Sequence, residues 1–202
     1  MKTAELKEII ERHQHWLRQD CYEWEQMRAD LKGADLSYAD LHGKNLIDAD
    51  LSNANLTGAD LSEAIMWNVN LRNANLLGAN LSNANLRMAN MRRANMRKAD
   101  LTGTKLIEAD LSEAHLSRAK LSRAKLYTAK LPKADLSKAN LTGADLEFAD
   151  MSKANLSEAD LTGASMFGAN LTGADLMGAN MTGSNLMGAD LSGANVTDAK
   201  LA

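Results

Sequence analysis

At 202 residues the chain has room for one domain with a sizeable core. Hydrophobic residues make up 45% of it but aromatics only 4%, so that core must be built from Leu, Ala and Met, and a net charge of -3 selects no class of partner. A single cysteine excludes an internal disulfide and suits a reducing compartment, and no apolar run nears the length of a membrane span, so a soluble cytoplasmic protein is expected.

The first predicted element is a helix over residues 4–27. Its opening, "MKTAELKEIIERHQHW", is charged throughout and lacks the apolar stretch of a secretory signal. Leu6, Ile9, Ile10, His13, Trp16, Leu17, Cys21, Trp24 and Met27 recur at three- and four-residue steps. Thr3 is the expected N-cap, with Glu5 in the first turn. Residues 1–28 are therefore expected to form an α-helical cap over the first layer of residues 29–202. Such a helix would be about 36 Å long, too long for one layer, so either it breaks near Gln19–Asp20 or part of it meets a partner. His13 and His15, two apart, point to different sides of a helix and do not chelate together. A site shared between chains with Cys21 is the one metal reading left; no metal or cofactor is otherwise expected.

From Ala29 onward the chain repeats every five residues. Of the 35 positions from Leu31 to Leu201 at five-residue steps, 28 are Leu, six are Met and one is Val196. Ala lies two before the centre except at Lys44, Val69, Thr104 and Ser184, and Asp or Asn usually lies one before it. A five-residue period fits neither a helix, around which the Leu residues would wander, nor a strand, in which they would alternate sides. Each pentapeptide must be a short extended piece followed by a turn. All 13 Gly sit two after a centre, the third position of a four-residue turn, and the single Pro, Pro132, sits at the second. Both placements fit a type II turn.

The run "ADLSNANLTGADL" resembles the pentapeptide-repeat proteins, with their pattern Ala-(Asp/Asn)-Leu-x-x, and the likeness covers residues 29–202. It implies an all-β solenoid, a right-handed quadrilateral β-helix in which four pentapeptides make one square coil of 20 residues. The 35 repeats would give nearly nine coils and a rod roughly 40 Å long. The residues carry a 20-residue period of their own. The position after the centre is mostly Ser or Thr in three columns, but the fourth reads Ile47, Trp67, Arg87, Ile107, Tyr127, Glu147, Phe167, Met187. With Ile65 and Phe148 beside it, this column is a candidate interaction edge, or else a ladder that merely ties coil to coil.

Charge is distributed unevenly. Residues 87–138 carry 13 Lys or Arg against five acids, a local +8, while residues 1–86 carry -5 and residues 139–202 carry -6. In "AKLSRAKLYTAKL" Lys replaces Asp or Asn in the slot before the centre. The candidate basic belt comprises Arg87, Arg92, Arg93, Arg97, Lys98, Lys105, Arg118, Lys120, Arg123, Lys125 and Lys130. Lys98, Arg118 and Lys138 would stack in one column, and Lys105 and Lys125 in another, a repulsive arrangement that stability alone does not favour. The competing reading is a solvated surface balanced by neighbouring acids.

No catalytic constellation surrounds His13, His15, His42 or His115, so no enzyme is expected. The closing "NVTDAKLA" offers no cap, which points to a homodimer or a further segment. The resemblance implies a non-enzymatic interaction or structural scaffold with a protein partner. Some of the family imitate DNA and bind DNA gyrase, protecting it from quinolones. This chain departs from that group in having no loop between repeats, no C-terminal dimerising helix, and a positive belt. Direct nucleic-acid binding is disfavoured, because neither a stacking platform nor a groove-entering helix is evident.

Overall fold

The computed structural model describes residues 3–201. It opens with helix α1, Thr3–Arg18, followed by a bend and a single 3-10 turn, Trp24–Met27. The helix is shorter than the periodicity of residues 4–27 suggests. Gln19 takes a left-handed φ of 54°, its N–H donating to the His15 carbonyl at 2.9 Å, and this ends the helix at the expected break. The N-cap expected at Thr3 lies outside the described side chains.

Beyond Ala29 every pentapeptide has the same backbone. Asp30 forms a parallel bridge with Asp50, Asp50 with Asn70, and so on at steps of 20 residues. Four such rows run along the rod: Asp30 to Asp190, Asp35 to Asn195, Asp40 to Lys200, and Asn45 to Asn185. Each row contributes one bridging residue per coil. Among the described residues no strand extends beyond a single bridge, because a turn intervenes after every one.

The turn is that expected from Gly and Pro132. The N–H of each Ala slot donates to the preceding centre, as Ala34 to Leu31 at 3.1 Å, and the residue two after every centre from Gly33 to Asp198 has φ between 53° and 73°. Positive φ at the third position alone identifies type II. Many of these positions hold Arg, Lys, Glu or Phe rather than Gly, a left-handed conformation that costs an L-residue about 1–2 kcal/mol. Contacts between coils repay it.

Those contacts leave almost no main-chain donor idle. In the first repeat the Leu31 N–H donates to the Asp50 carbonyl (2.7 Å), Gly33 to Ser52 (2.8 Å), and Asp50 back to Ala29 (3.0 Å). Where Asp or Asn precedes the centre, the N–H that follows the centre is satisfied differently. It donates to Oδ1 of the Asp or Asn two residues earlier, as Lys32 to Asp30 and Ser37 to Asp35, both at 3.1 Å. This is why the slot before the centre prefers Asp and Asn: each closes a donor the turn leaves open.

Inside, the Leu, Met and Ala side chains of the coils form one continuous core, with centres from Leu41 to Met181 fully buried. Burying each Leu contributes about 1.5–3 kcal/mol before entropy is counted. Three of the four breaks in the Ala pattern are accommodated individually, while the Ser184 hydroxyl is left without a partner among the described residues. Val69 packs, Thr104 donates its hydroxyl to the Leu81 carbonyl at 2.8 Å, and Lys44 in the first coil leaves the core for solvent. Helix α1 covers the first coil through Leu6, Ile9 and Ile10, so that Leu31 and Leu36 are 1–2% exposed. At the other end Val196 and Leu201 are 43% and 58% exposed.

Candidate interaction surfaces

The residues after the fourth-row centres make one corner of the square, and the aromatic residues meet there. Phe148 stands between its neighbours two coils apart: its ring is 5.8 Å from Tyr127 and 5.4 Å from Phe167, edge to face in both cases. Such pairs add about 0.5–1.5 kcal/mol each beyond burial. Phe148 also lies over Gly168 of the next coil, where a Cβ would sit 2.6 Å from its ring; Tyr38 lies over Gly58 in the same way. Glycine there supplies both the positive φ and the space. Tyr127 and Phe148 nevertheless stay 41% and 46% exposed.

Ladder and exposed edge are thus properties of the same side chains. Ile47, Ile107 and Phe167 are half-buried, whereas Ile65, Trp67 and Met187 are exposed. Arg87 and Glu147 interrupt the column, so Trp67 stands apart from the aromatic cluster. Met88, absent from the column read off the sequence, is exposed on this corner beside Tyr127, Glu108 and Thr128. Its position one past Arg87 is the signal that would have found it.

The belt encircles the middle of the rod. Arg92 and Arg93 lie at the first-row corner, Arg97, Lys98 and Arg118 at the second, Arg123 at the third, and Arg87 at the fourth. Lys130, Lys120 and the pair Lys105 and Lys125 occupy the first, third and fourth bridge rows. Part of it is neutralised along the rod axis. Arg92 meets Asp110 at 3.3 Å, Arg93 meets Glu113 at 2.9 Å, and Lys120 meets Asp100 at 3.3 Å; just outside, Lys138 meets Glu158 at 3.3 Å. Among the described residues the remaining eight belt bases make no ion pair within 4.0 Å. Arg97, Lys98 and Arg118 join Lys138, Leu77 and Ser117 around a shallow depression of about 550 Å³ at the second-row corner. That corner is diagonally across the square from the aromatic one.

Lysine in the slot before the centre has a local cost. No acceptor reaches the N–H of Ile107, Ser122 or Tyr127 from Lys105, Lys120 or Lys125, because an ammonium cannot accept. After Lys130 the donor is missing altogether, since Pro132 follows the centre. The acids elsewhere gain from the same geometry. The Ser62 hydroxyl and N–H hold the Asp60 carboxyl below the usual range, and Thr162 does the same for Asp160. Burial pushes the Asp110 carboxyl up, but Ser112 and the Arg92 guanidinium outweigh it and the net shift is downward.

In the cap, His13 is fully buried and stacked on Trp16, and its Nδ1 accepts the Ala29 N–H at 3.1 Å. Burial lowers its pKa. His13 thus joins helix to first coil as a neutral ring.

Three comparisons bear on this architecture. The family model described as pentapeptide repeats matches residues 29–68, 68–103, 94–131, 129–166 and 164–201. No curated protein matches the chain. Among solved structures, HetL, a pentapeptide repeat protein involved in heterocyst differentiation regulation in the cyanobacterium Nostoc sp. strain PCC 7120, is 38% identical. The match covers 86% of this chain and 83% of HetL, with a TM-score of 0.50. A pentapeptide repeat protein of the Arabidopsis thaliana thylakoid lumen is also 38% identical, over 45% of this chain and 63% of its own, with a TM-score of 0.44. QnrB1, a plasmid-mediated fluoroquinolone resistance protein, is 20% identical over 83% of this chain and 75% of its own, with a TM-score of 0.48. With i to i+20 bridges along four rows and the family pattern running from residue 29 to 201, the chain belongs to the pentapeptide-repeat proteins, whose members form right-handed quadrilateral β-helices.

Proposed function

We propose that this protein is a non-enzymatic docking rod whose aromatic corner receives a protein partner. The observation that carries the reading is the Tyr127–Phe148–Phe167 cluster: its rings are fixed by one another and by Gly168, yet two of the three remain over two-fifths exposed. Prefixed aromatic area loses little side-chain entropy on binding, which is what an interaction anchor requires. HetL, a relative with a regulatory rather than catalytic description, supports the same class of role. The family is generally one of structural or interaction proteins. A second copy of the chain is one partner that would use this corner, giving a homodimer. The proposed compartment is the cytoplasm, which suits the free thiol of Cys21. Among the described residues no helix is long and apolar enough to cross a membrane.

Replacing Trp67, Tyr127 and Phe167 together by Ser tests the reading. Mass in solution and capture of protein from the host lysate are compared for the parent chain, this variant, and a variant with belt charges reversed. Loss of a captured species or of dimer mass in the corner variant alone, with the far-UV spectrum unchanged, supports docking there. Equal behaviour of all three removes it.

A second reading is imitation of DNA toward DNA gyrase with protection from quinolones. It draws on the outward carboxylates of both ends, several held ionised by neighbouring hydroxyls, and the belt works against it. A supercoiling assay with and without a quinolone decides it: no effect at micromolar protein eliminates mimicry.

A further inference from the structure

The bend after α1 gathers donor atoms of three chemical kinds. His15 lies on the last turn of the helix. The left-handed Gln19 then reverses the chain, so that Asp20 and Cys21 fold back against that turn. His15 Nδ1 and Asp20 Oδ1 are 2.8 Å apart. The imidazole nitrogen, the carboxylate oxygen and Cys21 Sγ all lie within 4.8 Å of one another. The Cys21 thiol is held in place by donating to Met27 Sδ at 3.5 Å.

We propose that His15, Asp20 and Cys21 form a zinc site within one chain, with water in the fourth position. Zinc takes nitrogen at about 2.0–2.1 Å, oxygen at about 2.0–2.2 Å and sulfur at about 2.3 Å. Ligands around a tetrahedral ion therefore stand about 3.3–3.8 Å apart, so the three atoms need only sub-ångström to ångström adjustments. Zinc takes the place of the proton between His15 Nδ1 and Asp20 Oδ1, the imidazole keeping its single proton at Nε2, and displaces the thiol proton to solvent, leaving imidazole neutral, carboxylate ionised and sulfur as thiolate. His13, the other imidazole that the sequence offered, is not part of this cluster: it is fully buried under the helix, with Nδ1 accepting the Ala29 N–H. The fourth position lies open, since His15 and Asp20 are exposed and Cys21 is half-buried. Ligands on both sides of the Gln19 reversal mean that the ion would tie the end of α1 to the segment leading into the first coil. This site is independent of the docking corner.

The experiment uses the full reduced chain, with zinc alone as probe and a chromophoric chelator as competitor. The expected result is one zinc per chain and alkylation of Cys21 slowed about tenfold or more, because coordination withdraws the reactive thiolate. Cobalt substitution should give the sulfur-to-metal charge-transfer band. His15→Ala and Cys21→Ser should each abolish tight binding while the far-UV spectrum holds, and His42→Ala should leave it intact. Unchanged alkylation with zinc in several-fold excess overturns the proposal, as does full binding by His15→Ala. One zinc per two chains also overturns it, since that places the site between molecules.

Discussion

Two kinds of repeat share one backbone in this rod. In "ADLSNANL" the residue before each centre accepts the N–H that the turn leaves open; in "AKLSRAKL" it does not. Yet the same i to i+20 bonds run through both, with Leu121 N–H to the Asn140 carbonyl at 2.6 Å and Leu61 to Asn80 at 2.7 Å. The core is indifferent to the slot, and the surface is not. Basic repeats therefore persist at some expense to local stability, partly offset where Lys120 meets Asp100. Exposed ion pairs of that kind contribute only about 0–1 kcal/mol.

The comparison is broken most strongly from inside. Leu121→Ala in a basic repeat and Leu61→Ala in an acidic one should each cost about 3 kcal/mol, read as the shift in urea midpoint. A clear inequality between them would show that the slot does reach the core. The slot itself is tested by exchange. Lys125→Asn gives the Tyr127 N–H an acceptor and should stabilise by about 0.5–1 kcal/mol, while Asn140→Lys removes the 2.9 Å bond from Thr142 and should destabilise similarly. Gains or losses of the same sign in both variants would contradict the hydrogen-bond account.

The smallest effect, per residue, is that of pH. For Asp60 and Asp160 the folded pKa is depressed, so the unfolded chain binds these protons more readily. Their contribution is complete above the ordinary Asp value of about 3.9 and is lost as pH falls below it toward the folded values. His13 works in a higher window. Its lowered folded pKa means that stability declines as pH falls from about 6.5. Amide protection, referred to the intrinsic exchange rate at each pH, should accordingly fall in α1 near pH 5, while the coils resist until the carboxylates protonate. Simultaneous loosening would refute the separate roles.

The repeat, its turn and its 20-residue period could be read from the sequence because each depends on residues at fixed short spacing. Gly and Pro132 identified the turn independently of any contact. Other features depend on which surfaces meet. The apolar steps continue to Met27; helix length alone pointed to a break near Gln19–Asp20, and the left-handed Gln19 places the end of α1 at Arg18. His13 reads as one more member of a stripe until the helix is laid against Ala29. The seat of Phe148 over Gly168 joins residues one coil apart, and neither is unusual for its own slot. The belt was legible as charge, but the division into paired and unpaired bases was not, because each ion pair bridges coils.

The uniform stacking of coils also sets a phase. Every pentapeptide advances the chain by one side of the square, so removing five residues anywhere in the rod would keep every Leu inside and every main-chain bond in kind. All that lies beyond the deletion would turn by a quarter, and a deletion between Tyr127 and Phe148 would take Phe148 off the line of Tyr127. Removing 20 would restore the line and merely shorten the rod. Length and angular placement of surface groups are therefore adjustable in separate steps, which lets such a molecule be retuned to a new counterpart by whole-repeat gain or loss.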